Sequence, residues 1–447
     1  MQTKLAIMNT KSPVRSKGNL LSEILSTKKL TSLSKHANFS KRKQRKLSLN
    51  LLLLSYMDFI INGRFSYNQW AVSLSNYTGQ IVSKQAIHKR MGKPFILFLQ
   101  DALSNILQKQ YQQSKSRNIN RFSYFKNVYL QDATHYSLPL HLAKLFPGNN
   151  THGATRAVAK IDTVFNIKKG CFTLFRLTHF KDADVNSIEP VCQILKKGDL
   201  IIRDLGYYLI NGFETINKKG AYFLSRHKLN VAIRDLETGN QINLAKYLRK
   251  KKYIDTEILL SSLKPIKVRI VAVPLPEAVM NERKRKAKAD KRNKRTNHND
   301  DYYYLLGYAI FITNVNDEVW SAQDLCQAYR CRWNIEILFK SWKSHLNSNY
   351  TSPDRYATET SVTIHFYMLL IYISAFVLPV LIKISVFKNY LEKQISILKL
   401  TVFVSKNFID IINNEMTKKF LNKIIYYSKY DTRIDRLNAM QNLFSYN

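Results

Sequence analysis

The sequence predicts an α/β protein, a layered sheet-and-helix core set between two helical flanks. Three observations lead there. From about residue 125 the periodicity changes, and short β-rich runs begin to alternate with helical stretches. On either side, residues 1–124 and 351–447 have mainly helical and basic character. At 447 residues with 45% apolar content, the chain can bury a sizeable core in two to four domains.

Taken in order, residues 1–46 carry twelve Lys or Arg and one acid, Glu23, and predict an arm that is partly disordered until it meets phosphates. The apolar run 48–62 is too short to span a bilayer and predicts a core helix. Across 66–91, a helical pattern ends near Thr78-Gly79 and a short basic helix starts after Ser83. This is either a helix-turn-helix, with Lys84, Gln85, His88, Lys89 and Arg90 facing DNA, or an ordinary helical hairpin. An amphipathic helix follows Pro94 to about residue 114.

The strand pattern opens with 125–132, ending in Asp132, and continues with 157–167 and 171–180 around a Lys-Lys-Gly turn. A helix over 187–197 leads to an apolar strand, 199–208, that carries Asp204. A helix over 209–218 and a strand over 221–228 complete the set. This order fits an RNase H-like core, in which acids at the ends of central strands meet one from a later helix. Residues 229–301 interrupt it with a clear strand at 267–276 and a basic run, 283–295, of nine cations and one acid. That run, with Arg283, Lys284 and Arg285, is either a solvated linker or a loop that tracks phosphates. Strand character returns over 302–315. The predicted division is therefore 1–124, a basic helical DNA-binding region; 125–228 with 302–350, the catalytic core; 229–301, a β-rich basic insertion; and 351–447, a helical C-terminal region.

Residues 321–346 predict one long amphipathic helix capped by Ser321. Tyr329, Arg332, Glu336 and Lys343 stand at offsets of 3, 7 and 14, which return to one side of a helix. Alone, such a row is also an ordinary surface charge pattern. Downstream, the 21 mostly apolar residues of 362–382 pass the length test for a membrane span. With His365 and Pro379 inside a single such segment, a buried core helix is the favoured reading.

A net charge of +39, from 70 Lys and Arg against 31 Asp and Glu, calls for a polyanion, with nucleic acid first and an anionic membrane surface second. Cys171, Cys192, Cys326 and Cys331 lie far apart or on one helix, which predicts reduced thiols and no structural zinc. The N-terminus lacks the apolar run of a signal peptide, so a cytoplasmic, nucleoid-associated location is expected.

Asp132, Asp204 and Glu336 are the candidate catalytic acids. Phosphodiester chemistry uses two divalent ions that activate the attacking oxygen and stabilise the leaving one. Mg²⁺ or Mn²⁺ takes hard oxygen ligands, and three carboxylates suffice.

The three acidic stretches together resemble the DDE transposases of bacterial insertion sequences, in the family with a Tyr-Arg-Glu-Lys signature. Its first motif is matched by Val128-Tyr129-Leu130-Gln131-Asp132-Ala133-Thr134, its second by Asp204-Leu205-Gly206-Tyr207, and its third by Tyr329, Arg332, Glu336 and Lys343. The family's β-strand insertion before the Glu helix matches the interval from 229 to about 310, and the similarity spans 125–350. The resemblance implies metal binding by Asp132, Asp204 and Glu336, with Tyr329, Arg332 and Lys343 gripping phosphates at the element's end. It also implies cut-and-paste movement of double-stranded DNA by a homodimer, with neither membrane nor small-molecule substrate. Where relatives carry a base-stacking Trp on the strand before the Glu helix, this chain has Tyr308, which either stacks on a base or packs in the core. Two other readings are a catalytically inactive, transposase-derived DNA-binding protein and a membrane-associated basic protein using 362–382.

Overall fold

The computed structural model describes residues 26–40, 48–62, 66–116, 119–149, 156–260, 265–294, 298–346, 358–388, 395–413 and 417–430. Most of the predicted basic arm, Arg295 of the basic run and the end of the C-terminal tail lie outside these residues. The described chain forms two compact units. One takes the residues up to Gln113, His135–Ala159 and those from Ile337 onward, and the other takes Ser114–Thr134 and Lys160–Glu336.

The first unit begins with α1 (Thr27–His36), α2 (Leu49–Asn62), α3 (Tyr67–Thr78), α4 (Lys84–His88) and α5 (Lys93–Gln113). The helix ends predicted at Gly79 and Ser83 are present, and Ser66 caps the start of α3. Ser66 accepts from Gln69 N–H, Gly79 closes α3 at φ +67°, and Ser83 accepts from Ala86 N–H. A left-handed residue at this point is where glycine is needed, since it has no Cβ to clash.

The strands lie mostly in the second unit, with residues 135–138 and 157–159 of two of them counted to the first. These are β1 (Val128–Leu138), β2 (Ala157–Asn166), β3 (Cys171–His179), β4 (Leu200–Arg203), β5 (Tyr222–Arg226), β6 (Ile233–Asp235), β7 (Gln241–Ile242), β8 (Ile254–Leu260), β9 (Ile266–Pro274) and β10 (Tyr308–Thr313). They form one sheet in the order β3-β2-β1-β4-β5-β10-β9-β8-β6-β7. The first five have the RNase H-like order, with β1, β4 and β5 parallel. The inserted β8 and β9 extend the same sheet through antiparallel pairing of β9 with β10. Helices α6 (Ile188–Ile194), α7 (Ile210–Lys218), α8 (Leu244–Lys251), α9 (Glu277–Lys294) and α10 (Asp300–Leu305) connect the strands. One apolar cluster joins core and insertion, from Ile201 and Phe223 through Ile312 to Ile258 and Ile270.

Four elements differ from expectation. β1 does not stop at Asp132 but runs six residues on, because Thr134, Tyr136 and Leu138 keep an inward alternation. The basic run is helical, as α9. Its Ala, Lys, Arg and Glu residues are good helix formers, and Glu282 pairs with Arg285 at 2.8 Å and Lys286 at 3.3 Å. The stretch 302–315 begins as α10 and becomes strand only at Tyr308. Asn299 caps that helix through Tyr302 N–H, with Asp300 and Asp301 in the first turn.

The fourth difference is the helix 321–346, which is two helices, α11 (Ala322–Arg330) and α12 (Trp333–His345). Ser321 and Asp324 form a capping box at its start, as the sequence predicts of Ser321. At the break, the N–H groups of Cys331, Arg332, Asn334 and Ile335 each reach the carbonyl three residues back, at 3.0–3.2 Å. The tight turn lies where Arg332 aims its guanidinium at carboxylates distant in sequence.

The C-terminal helices are α13 (Glu359–Tyr372), α14 (Leu378–Lys388), α15 (Ile397–Lys406), α16 (Phe408–Asn413) and α17 (Lys418–Ser428). A π turn over Ile373–Val377 joins α13 to α14 just before Pro379, whose missing N–H breaks the regular ladder. This apolar stretch is 78% buried within the protein, as a core helix is.

Ile202 lies in the centre of β4, fully buried between Leu130 and Leu224. Ile202→Ala is expected to destabilise the fold by about 2–5 kcal/mol. Ile81→Ala, at a 99% exposed position, should stay within about 0.5 kcal/mol of wild type. Denaturant midpoints of the two variants test this.

Candidate active site

Sheet register brings the first two acids together. In the parallel pair β1–β4, Gln131 stands opposite Arg203, and in β4–β5, Arg203 stands opposite Ser225. The next residue on each strand is Asp132, Asp204 and Arg226. Parallel strands in register place such a row on one face. β4 ends at Arg203, so Asp204 leaves the ladder as Asp132 loses its β4 partner.

The break between α11 and α12 supplies the rest. Arg332 Nη1 lies 2.7 Å from Asp132 Oδ2, Nη2 lies 2.7 Å from Glu336 Oε1, and Nε lies 3.7 Å from Asp204 Oδ1. Tyr329 donates its hydroxyl to Asp204 Oδ1 at 3.0 Å, and Arg226 Nη2 approaches the same oxygen at 3.3 Å. Asp132 Oδ1 accepts from Ala133 N–H at 2.8 Å, and its backbone carbonyl accepts from Thr163 Oγ1 at 3.1 Å. Three carboxylates thus face one guanidinium, with a second beside it.

The electrostatics divide the two aspartates. Burial pushes the Asp132 carboxyl up to about 6; Arg332 and the Ala133 N–H oppose this, while Asp204 and Glu336 add to it. Asp204 is also raised by burial, but Arg332, Arg226, the Leu205 N–H and the Tyr329 hydroxyl outweigh it and hold the carboxyl below its ordinary value. Tyr329 is pushed up to about 12 by burial, so its hydroxyl remains a donor.

The donor chemistry suits a hard divalent cation, since the three carboxylates are partly open, with side-chain exposures of 17%, 32% and 36% for Asp132, Asp204 and Glu336. No three His, Cys, Asp or Glu side chains among the described residues already stand as a ligand cluster. The three carboxylates close on the Arg332 guanidinium.

Of the predicted residues, the structure gathers Asp132, Asp204, Tyr329, Arg332 and Glu336. Lys343 lies further along α12, with Nζ 5.4 Å from the centre of the Tyr136 ring. Arg283 of α9 is half-buried, donates to the Tyr308 carbonyl at 3.0 Å, and lies close enough to Arg226 and Tyr329 to feel their charges. Lys284 is half-exposed, while exposed Arg285 forms a fork with Glu282. In the other unit Lys84, Gln85, His88 and Lys89 are exposed, and Arg90 turns back to the Ala86 carbonyl. Tyr308 is placed in the core cluster, with its hydroxyl 3.0 Å from that of Tyr304. Trp320 is also core, donating to the Arg121 carbonyl. Sequence reasoning missed Arg226 and Thr163, because one Arg at a strand end carries no signal in a chain with 70 Lys and Arg.

The fold and the site define a protein of the DDE transposase class. The family described as "Transposase DDE domain" matches residues 123–373, more than half of the chain, and the chain belongs to that family. It is similar to the transposase for insertion sequence element IS231E of Bacillus thuringiensis subsp. finitimus, with 28% identity over 335 residues and 70% of each chain covered. It is also similar to the transposase for insertion sequence element IS1151 of Clostridium perfringens, with 24% identity over 363 residues and 76% of each covered. Among solved structures, the piggyBac transposase synaptic complex with hairpin DNA aligns at a TM-score of 0.47 and 6% identity, over 93% of this chain and 85% of that one. The protein is an insertion-sequence transposase with a DDE domain, an enzyme of DNA strand cleavage and strand transfer.

A carboxyl raised from 3.8 to about 6 binds more protons folded than unfolded between those values. Its contribution to stability is therefore present below the unfolded value and lost as pH rises through about 6. Carboxyl-carbon NMR of the metal-free protein should show Asp132 titrating near 6, and the midpoint should move higher in Arg332→Gln, which removes the main opposing charge.

Proposed function

We propose that Asp132, Asp204 and Glu336 are the catalytic carboxylates of this transposase and the ligands of two Mg²⁺ or Mn²⁺ ions. The observation that carries this reading is the convergence of all three on the Arg332 guanidinium. When bound, the ions would activate the attacking water or 3′-hydroxyl and stabilise the leaving oxygen.

The chain's own residues do the positioning. Two arginines, Arg332 and Arg226, offset much of the repulsion among three carboxylates that lie close together. The Tyr329 hydroxyl holds Asp204 Oδ1. A guanidinium presents several N–H groups in a plane, so Arg332 can turn part of its fork to a phosphate at the cleavage point. Arg226 and Arg283 extend that cationic rim, and Lys343 adds a point charge further along α12. Exposed Lys84 and His88 on α4, with Lys89 and Arg90 just beyond it, and Lys284 and Arg285 on α9, would serve double-stranded DNA along the element end and the target.

Residues 1–124 would bind the end, 125–228 with 302–350 would carry catalysis, 229–301 would add DNA contacts, and 351–447 would complete the helical flank. In the likeness of its family, the protein would act as a homodimer, with each catalytic region working on the end held by the partner. It would act on cytoplasmic, nucleoid-associated DNA.

The test is a cleavage assay on a duplex that carries the element's own end, with Mg²⁺ or Mn²⁺, beside Glu336→Ala. Metal-dependent nicking should fall in the variant by more than the about 10–100-fold that supporting residues account for, while DNA binding survives. Tight, salt-sensitive binding without any cleavage by wild type would point to an inactive DNA-binding derivative. Equal cleavage by both proteins would exclude Glu336 as the third acid.

A further inference from the structure

Behind the acids lies a second set of polar groups that the reaction itself does not use. Gln131 and Arg203 each stand one residue before a catalytic aspartate, so they point to the opposite face of the sheet. Both are fully buried. Arg203 Nε donates to Gln131 Oε1 at 2.9 Å, and Gln131 Nε2 donates to Ser187 Oγ at 2.7 Å. Ser187 in turn donates to the Asp184 carbonyl at 2.7 Å.

The turn after β4 joins this set. Tyr207, 1% exposed, donates its hydroxyl to Asp162 Oδ1 at 2.9 Å, and Asp162, on β2, is itself 1% exposed. The Arg203 guanidinium lies 5.3 Å from the centre of the Tyr207 ring. Buried Lys160, also on β2, binds Asp184 Oδ1 at 3.0 Å and the Asp182 carbonyl. Gly206 makes the approach of this loop possible, since a Cβ there would lie 2.4 Å from Asp184 Oδ2.

The Tyr207–Asp162 bond therefore reaches from the turn just after Asp204, past β1, to β2. There the neighbouring Thr163 holds the Asp132 carbonyl. Both aspartates are mounted on backbone that this one bond and its neighbours tie together. A merely space-filling role would need an apolar ring at 207. The hydroxyl instead supplies a hydrogen bond to the buried Asp162 carboxylate, which would otherwise lose a donor it needs.

We propose that Tyr207 and Asp162 are positioning residues for the metal carboxylates, acting through the backbone of Asp204 and Asp132. The inference rests on the reading of Asp132, Asp204 and Glu336 as metal ligands, and the experiment tests the two separately. Mn²⁺ would be titrated into the full-length protein, without DNA, and free ion followed by electron paramagnetic resonance. Wild type, Tyr207→Phe, Asp162→Asn and Glu336→Gln would be compared, with thermal melting and end-DNA binding measured on each.

Tyr207→Phe keeps the ring and should weaken Mn²⁺ binding about 10-fold, the lower end of the effect of supporting residues on metal sites. Its melting temperature should fall by no more than about 2–4 °C, as the loss of one buried hydrogen bond requires, its DNA affinity should match wild type, and end cleavage should recover in excess Mn²⁺. Asp162→Asn keeps an acceptor for the Tyr207 hydroxyl and should bind Mn²⁺ more tightly than Tyr207→Phe. Wild-type Mn²⁺ binding by Tyr207→Phe, with Glu336→Gln impaired, overturns the positioning role alone. Unimpaired binding by Glu336→Gln overturns the ligand reading beneath it. Weak Mn²⁺ binding by Tyr207→Phe together with a melting temperature lowered beyond that range and lost DNA affinity also overturns the proposal, since it marks general loosening.

Discussion

Three carboxylates placed side by side in a partly buried site repel one another, and each loses hydration. Without a compensating cation such a cluster would open or take up protons. Arg332 supplies that cation. Its guanidinium reaches Asp132 and Glu336 at hydrogen-bonding distance and Asp204 at ion-pair distance, and Arg226 approaches Asp204 from the other side. Much of the local structure can be read as what allows that approach: the tightened turn between α11 and α12, the capping box that starts α11, and the end of β4 at Arg203.

The same arrangement explains why the two aspartates differ. Asp132 is the more buried and has one guanidinium, Arg332, and the Ala133 N–H beside it, so desolvation prevails and its carboxyl rises. Asp204 gathers two guanidinium groups, a hydroxyl and a backbone amide, and these outweigh its burial. Two chemically identical side chains, set one strand apart, thus meet different local fields. In the proposed function, this row of acids, held by arginines whose forks also suit phosphate, would serve both hydrolysis and strand transfer.

Much of the fold was legible in the residues. β-rich and apolar runs marked β2, β3, β4 and β9, and the signals at Gly79, Ser83 and Ser321 marked helix ends, because these features depend on neighbours within a few positions. Asp132 and Asp204 were picked out at the predicted ends of strands, and Glu336 by the spacing of Tyr329, Arg332, Glu336 and Lys343. The misreadings were also local. Lys- and Arg-rich residues of α9 were weighed by charge rather than by helix propensity, and β1 was ended at its polar residue although the alternation continued to Leu138.

What the sequence determined by itself is the set of parts: an α/β core with helical flanks, a large positive charge, and three acids in a spacing that resembles the DDE family. Only the tertiary structure decided their arrangement. The pairing of Arg332 with Asp132 joins residues 200 positions apart, and Tyr207 reaches Asp162 across 45. The roles of Arg226 and Thr163, the burial of Tyr308 and the network behind the aspartates all depend on strand register, which no local pattern encodes. The physical reason is one of range. Helix caps and alternation are set by hydrogen bonds and burial among neighbours, whereas an ion pair or a buried hydrogen bond between distant residues exists only once the sheet has formed.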